Sequence, residues 1–386
     1  MSKNKVGLAI VTYTVNYGTF LQAFATQTSI RKLGYDTEIL NIDSVIDDVT
    51  RKRRRYFLRQ IINISELKSY RSTISAILAK KFVKKYKSFI ALREAKFKKF
   101  KDEFFIPGQL CNSWLGLQEH CRNFSSVVVG SDQLWRPANI AGNFYTLNFV
   151  PDDINKVSYS TSFGLSKIRD DQEEVAKNFL SRIQHLSCRE ESGANIIKEL
   201  TGRTAAVVCD PTLLLTKDEW GRFLQEEPLI KEEYILMYLL GDNKKHREYV
   251  KNLAKKTKCK IIGVLHGAGY IYGDEAYVDE APSDIGPFDF LNLIQHARYV
   301  CTDSFHGCVF SIIFERDFYV FKRFSDCDKM STNNRVIGLI NRMGLVDRMV
   351  ENYELMDLNP IDYHLVNQNL NDFRAYSMKY LTESLQ

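Results

Sequence analysis

YVCTDSFHGCVFSIIF, residues 299–314, reads as a short apolar strand, YVCT, that passes through Asp303 straight into a helix reaching Ile313. Ser304 is a good N-cap residue, and a helix that starts there turns the backbone N–H groups of Phe305, His306 and Gly307 toward whatever lies beyond the strand. The surrounding chain repeats the same unit. YILMYLL at 234–240 and KIIGVLH at 260–266 read as strands, FDFLNLIQHA at 288–297 as a helix, and Phe318 to Phe321 as a last strand. Strand and helix in turn imply a parallel sheet covered on both faces.

The N-terminal part follows the same rule. An apolar run from Val6 to Val11 leads through a turn around Asn16 and Gly18 into LQAFATQTSIRKLG, closed by Gly34, and EILNI follows as a strand. Thr19 with Gln22 three residues on fits a capping box. Further strands are expected at Ser126–Val129, Val157–Ser160, His185–Cys188 and Ala205–Cys209. The fold class is therefore α/β, with two Rossmann-like domains facing a cleft. The first is expected over 1–215, the second over 216–366, and a helical tail over 367–386.

Residues 51–105 break the alternation. They hold 18 Lys or Arg against 4 acids, a net +14 inside an overall +6, which leaves −8 for the rest. Phe, Tyr, Leu and Ile recur there at three-to-four spacing, so the segment reads as a basic helical insertion in the first domain. It is open to two readings: a surface drawn to anionic lipid headgroups, or a solvated basic face packed on the first domain. Nucleic acid is disfavoured because no recognised binding module accompanies the charge.

A chain of 386 residues with 45 % apolar content can fill two cores. Its 8 cysteines include no CxxC pair, and no signal peptide precedes the first strand, so a reducing cytoplasm is expected, a location that leaves room for peripheral contact at the inner face of the membrane. No apolar run nears the roughly 20 residues a membrane-spanning helix needs. GxGxxG, P-loop and nucleophile-elbow motifs are absent, which removes the best support for dinucleotide, NTPase and serine hydrolase readings.

In open parallel sheets, ligands sit beyond the carboxyl ends of the strands. The residues there are Asn16 to Gly18, Gly130 to Asp132, Ser158 to Gly164 with Tyr159, Arg189, and Asp303 to Gly307. Ser304, Phe305 and Gly307 suit an anion, and His306 in the first turn suits a general acid or base, against the alternative of a structural hydrogen-bonder. A helix N-terminus disfavours an imidazolium, whereas an arriving anion favours it. Arg189 and Arg335 can grip a carboxylate or phosphate in two-pronged fashion, or pair with neighbouring acids; for Arg189 these are Glu190, Glu191 and Asp210. Asp132 can hold a sugar hydroxyl or take its proton, or serve only as a turn residue. Asn16, Gln22, Asp132 and Tyr159 are the candidate acceptor contacts, with Gln22 a helix cap first. Cys301, His306 and Cys308 span a strand and a helix, and no second cluster completes a metal site, so no metal is expected.

Six pieces in order, NYGTFLQAFATQ (16–27), VVVGSDQLWRP (127–137), VSYSTSFG (157–164), SCREESG (187–193), VVCDPTLLL (207–215) and GPFDFLNLIQHARYVCTDSFHGCVFSIIF (286–314), resemble the polysaccharide pyruvyl transferases. The resemblance implies a GT-B-like fold and transfer from phosphoenolpyruvate, a co-substrate rather than a cofactor, to two hydroxyls of one sugar as a ketal. The acceptor it implies is a polysaccharide or a lipid-diphosphate-linked precursor. His306 matches the family's proposed acid or base, with Asp132 as a further catalytic candidate, and Arg189 matches an arginine that holds the donor. Some members carry Arg two residues before that histidine, where this chain has Ser304; Arg335 or Arg323 would then supply the charge. The alternative function is a GT-B glycosyltransferase using a nucleotide sugar.

Overall fold

The apolar runs become strands of parallel sheets; those at Lys5–Ala9, Tyr234–Tyr238 and Lys260–Gly263 are shorter than their runs because the ends leave the hydrogen-bonded ladder for turns, and the strand expected at Val157–Ser160 lies two residues earlier, at Asn155–Ser158. The computed structural model describes residues 4–60, 79, 81–267, 269–325, 331–356 and 359–386. In the first half, β1 (Lys5–Ala9), β2 (Asp36–Ile39), β3 (Ser126–Val129) and β4 (Asn155–Ser158) form a sheet in the order β2-β1-β3-β4. β5 (Ser187–Cys188) and β6 (Ala206–Val207) pair with each other, and single bridges such as Val157 to His185 join them to that sheet.

The second half contains β7 (Tyr234–Tyr238), β8 (Lys260–Gly263), β9 (Tyr299–Thr302), β10 (Asp317–Phe321) and β11 (Met349–Val350), all parallel, in the order β11-β10-β9-β7-β8. β7 and β9 are buried along their whole length, as expected of strands covered on both faces. The two parallel sheets, each carrying helices, make a two-domain Rossmann-like fold. The turn Pro211–Leu214 runs between the halves and packs on both the helix Tyr17–Lys32 and the helix Phe305–Ile313.

The expected tail begins at Tyr363, earlier than 367, and runs to Leu385. It returns to the first half: the Tyr380 hydroxyl donates to the Ser158 carbonyl at 3.1 Å, and the Cys209 N–H donates to Ser377 Oγ at 2.8 Å.

The basic insertion is bounded by helices Ile46–Gln60 and Lys84–Phe104, the first starting ahead of residue 51. Its middle, residues 61–78, lies outside the described residues. Apolar residues of the second helix that the membrane reading would offer to lipid point inward: Phe97 and Phe100 are buried and meet Phe20 and Phe24 of the first helix with ring centroids 4.8 and 5.9 Å apart. Edge-to-face aromatic contacts of this kind add to the area they bury. Lys84, Lys87, Lys98 and Lys99 face solvent. Among the described residues, no helix is long and apolar enough to cross a membrane.

Candidate active site at the junction of the halves

The turn after β9 is built by hydrogen bonds of its own residues. Thr302 Oγ1 donates to the Tyr238 carbonyl at 2.7 Å and accepts from the Ser304 N–H at 3.0 Å. Ser304 Oγ accepts from the Gly307 N–H at 3.4 Å, so of the three N–H groups expected to be free, that of Gly307 is capped. A Cβ on Gly307 would lie 2.4 Å from Thr302 Oγ1; the missing side chain serves this close approach. Asp303 does not orient His306. Its carboxylate accepts from the N–H groups of Leu240 and Gly241 at 2.6 and 2.8 Å, tying the ends of β7 and β9 together.

Across the junction, Asn16 caps the helix Tyr17–Lys32 by accepting from the Thr19 N–H at 3.0 Å. The capping box expected at Thr19 and Gln22 does not form. Thr19 Oγ1 instead donates to Asp132 Oδ2 at 2.8 Å, and Gln22 Nε2 donates to the Thr19 carbonyl at 2.9 Å. Two residues past Asn16 comes Gly18, where a Cβ would stand 2.1 Å from His306 Nδ1. Any side chain at 18 would displace the imidazole.

On its other side, His306 Nε2 lies 3.7 Å from Asp210 Oδ2, an electrostatic contact too long for a hydrogen bond. Asp210 is the hub of the cluster: fully buried, it accepts from Arg189 Nη1 at 3.0 Å, Ser131 Oγ at 2.8 Å, and the Thr212 N–H and hydroxyl at 3.1 and 2.7 Å. Burial alone would raise its pKa, but His306, Arg189 and Thr212 outweigh this and hold the carboxyl far below its usual range. In the sequence, Asp210 stands out only as a partner for Arg189. The signal was there, because Asp210 follows the strand run Ala205–Cys209 just as the chosen residues follow theirs.

Arg189 is buried with its guanidinium 4.4 Å over the Phe305 ring and its Nε 3.6 Å from Glu190 Oε2. Its Nε and Nη2 have no hydrogen-bond partner among the described residues. Asp132 sits in the left-handed region at φ 80°, where its Oδ1 accepts from the Gln133 N–H at 2.8 Å. Burial would raise its carboxyl, yet Arg189, His306, the Thr19 hydroxyl and Arg335 bring it below the ordinary value. Arg335, on the helix Asn333–Met343, also has a buried Nε without a hydrogen-bond partner among the described residues, and burial together with Arg189 pulls its pKa down to about 9. Arg323 acts elsewhere, its charge felt by Asp303.

The structure thus brings His306, Arg189, Asp132, Arg335, Phe305, Ser304 and Gly307 to one junction. Asn16 and Ser304 spend their side-chain oxygens on helix caps. Gln22 is fully buried beneath the cluster, its Oε1 without a hydrogen-bond partner among the described residues. Tyr159 does not join, because its hydroxyl lies 3.9 Å from Cys209 Sγ under the C-terminal helix, with the Tyr380 ring 6.4 Å away. Among the described residues, no group of three or more His, Cys, Asp or Glu is placed to hold a metal ion.

Fold and cluster together define a protein of GT-B-like architecture: two Rossmann-like halves with buried charges collected where they meet. The chain belongs to the polysaccharide pyruvyl transferase family, whose profile matches residues 16–323, most of its length. It is a transferase by that membership. No protein of curated function matches it. Among solved structures it is similar to a putative UDP-N-acetylglucosamine 2-epimerase from Listeria monocytogenes, with 10% identity, TM-score 0.46, and coverage of 99% of this chain and 91% of that one. It is also similar to the UDP-GlcNAc 2-epimerase of Methanocaldococcus jannaschii in complex with UDP-GlcNAc and UDP, with 12% identity, TM-score 0.45, and coverage of 96% and 99%. The glycosyltransferase SnogD from Streptomyces nogalater matches with 12% identity, TM-score 0.40, and coverage of 97% and 94%.

Proposed function

We propose that the chain forms a pyruvate ketal on a sugar of a polysaccharide or lipid-linked precursor, with phosphoenolpyruvate as donor and His306 as general acid and base. The observation that carries this reading is a set of buried guanidinium N–H donors at the junction, Arg189 Nε and Nη2 and Arg335 Nε, that lack hydrogen-bond partners among the described residues. Buried unpaired donors are costly, and an anion carrying carboxylate and phosphate would satisfy them.

Protonated His306 gives its proton to the methylene carbon of the donor, and positive charge develops on the central carbon. One sugar hydroxyl adds there and phosphate leaves with the C–O bonding pair. The second hydroxyl then adds at the same carbon, and the two hydroxyl protons pass to His306 and to the released phosphate. Asp132, held ionised, is a weak base and suits electrostatic support of the developing cation better than proton abstraction. Asp210 faces Nε2 and holds Arg189, so it positions both. The solvent-facing lysines of the helix Lys84–Phe104 support contact with anionic headgroups through charge alone.

The test is proton NMR of phosphoenolpyruvate with protein and candidate acceptors in deuterated water. Loss of the vinyl signals with growth of a methyl signal carrying solvent deuterium, and phosphate release dependent on the acceptor, is the expected result. Consumption of a nucleotide sugar instead would move the assignment to glycosyl transfer.

A further inference from the structure

Away from His306, the helix Lys84–Phe104 and the chain after β8 enclose a pocket of about 220 Å³ lined by Tyr86, Phe89, His266, Glu275, Asp279 and Ala281. Its walls differ in chemistry: the helix brings aromatic rings, and the facing loop brings carboxylates. His266 is held in the left-handed region at φ 58°, a conformation a non-glycine residue keeps only when its surroundings over-determine it. Its Nδ1 accepts from the Ile271 N–H at 3.3 Å, so Nε2 carries the proton that Glu275 Oε1 meets at 3.4 Å. The Tyr86 ring stands edge-to-face to the imidazole at 5.3 Å. Oriented carboxylates accept from hydroxyls and repel anions, and aromatic faces take C–H surfaces. That combination fits a neutral sugar ring.

One turn along the helix from Phe89 lies Arg93, only 1% exposed. Its Nη1 donates to the Leu265 carbonyl at 2.9 Å, while Nε and Nη2 have no hydrogen-bond partner among the described residues. The guanidinium lies 4.6 Å from the Phe89 ring and 5.5 Å from the Tyr17 ring. Tyr17 precedes the Gly18 on which His306 rests. Arg93 therefore stands between the pocket and the junction, with donors to spare.

We infer that this pocket is a second sugar subsite, which takes a neutral, non-reacting sugar residue of the acceptor chain, and that Arg93 donates to the oxygens linking that residue to the sugar reacting at His306. The inference rests on the acceptor side of the reading above. Saturation-transfer NMR and calorimetry on the full chain, with neutral hexose disaccharides and their constituent monosaccharides, test it. At least one disaccharide is expected to show transfer to both rings and to bind about tenfold tighter than its monosaccharides, as an added pocket contact of roughly 1–3 kcal/mol would give. Ala281→Trp, which fills the pocket from its half-exposed rim, and Arg93→Met should each abolish that advantage. Both should keep the rise in melting temperature caused by phosphoenolpyruvate, which also reports that they fold. If no disaccharide outbinds its monosaccharides, or Ala281→Trp retains the advantage, the subsite is wrong. Loss in Ala281→Trp with retention in Arg93→Met removes Arg93 from it. A disaccharide advantage without any phosphoenolpyruvate effect in the unaltered protein overturns the pyruvyl reading and leaves the subsite standing.

Discussion

Two strand-to-helix turns face each other at the junction, and they contribute in opposite ways. Under the proposed chemistry, the turn after β9 carries the acid–base side chain, His306, on a helix capped by Ser304. The turn after β1, capped by Asn16, carries an absence: Gly18 is where the imidazole fits. Similar local structures, each a short polar cap at a strand's carboxyl end, thus divide the work into reactive group and space. Position beyond a strand marks both turns in the sequence, but residue type points only to His306; that Gly18 supplies the space for its ring shows only in the fold.

Altering the reactive side should have the largest effect. His306→Ala is expected to lower transfer by roughly 10²–10⁴-fold, the usual worth of a positioned acid or base, while phosphoenolpyruvate binding falls only modestly. Steady-state rates beside donor titrations check this, and near-normal transfer would break the contrast. Asp210, the anion behind His306, comes next. Removing one partner of a buried ion pair costs about 3–5 kcal/mol, so Asp210→Asn should melt earlier at pH 7. Its carboxyl is held below the ordinary value, so the stability it provides is present above that value and is lost as pH falls beneath it. Melting temperature against pH should accordingly fall less steeply below about pH 4 in Asp210→Asn than in the unaltered protein.

The space side of the comparison is sharpened by Gly18→Ala. A methyl 2.1 Å from His306 Nδ1 must move the ring. Misplacement by about 1 Å can cost roughly 10²-fold in rate, so kcat should fall with the melting temperature little changed. Arg189→Lys keeps the charge and loses the fork, and should raise the donor KM more than it lowers kcat. Ser304→Ala, which only uncaps a helix, should cost about 1 kcal/mol of stability by denaturant unfolding.

The same contrast accounts for how much of the molecule was legible in the sequence. Continuous apolar runs located Ser126–Val129 and Tyr299–Thr302 to the residue, because strands buried on both faces need no pattern beyond the run. Caps were harder. Asn16 and Thr19 are both good N-cap types, and what decides between them is Asp132, more than a hundred residues away, which takes the Thr19 hydroxyl. Tyr159 follows a strand as the other candidates do, but its direction is set by the C-terminal helix folding back over it, a contact no local pattern records. Spacing marked the helix Lys84–Phe104 as amphipathic without telling lipid from protein as the partner of its phenylalanines. Arg93 is passed over, and Asp210 stands in the sequence only as a partner for Arg189, because their importance lies in what surrounds them: Asp210 accepts four hydrogen bonds at a buried hub, and Arg93 is buried with donors to spare.

The measurement that bears most directly on the central claim is the melting temperature of the purified chain with phosphoenolpyruvate, and separately with nucleotide sugars and free nucleotides. A ligand bound only by the folded state at a hundred times its Kd adds about 2.7 kcal/mol, which shows as a clear rise. The account predicts a rise with phosphoenolpyruvate that shrinks in Arg189→Lys, and none with the nucleotides. A rise with a nucleotide and none with phosphoenolpyruvate would contradict it.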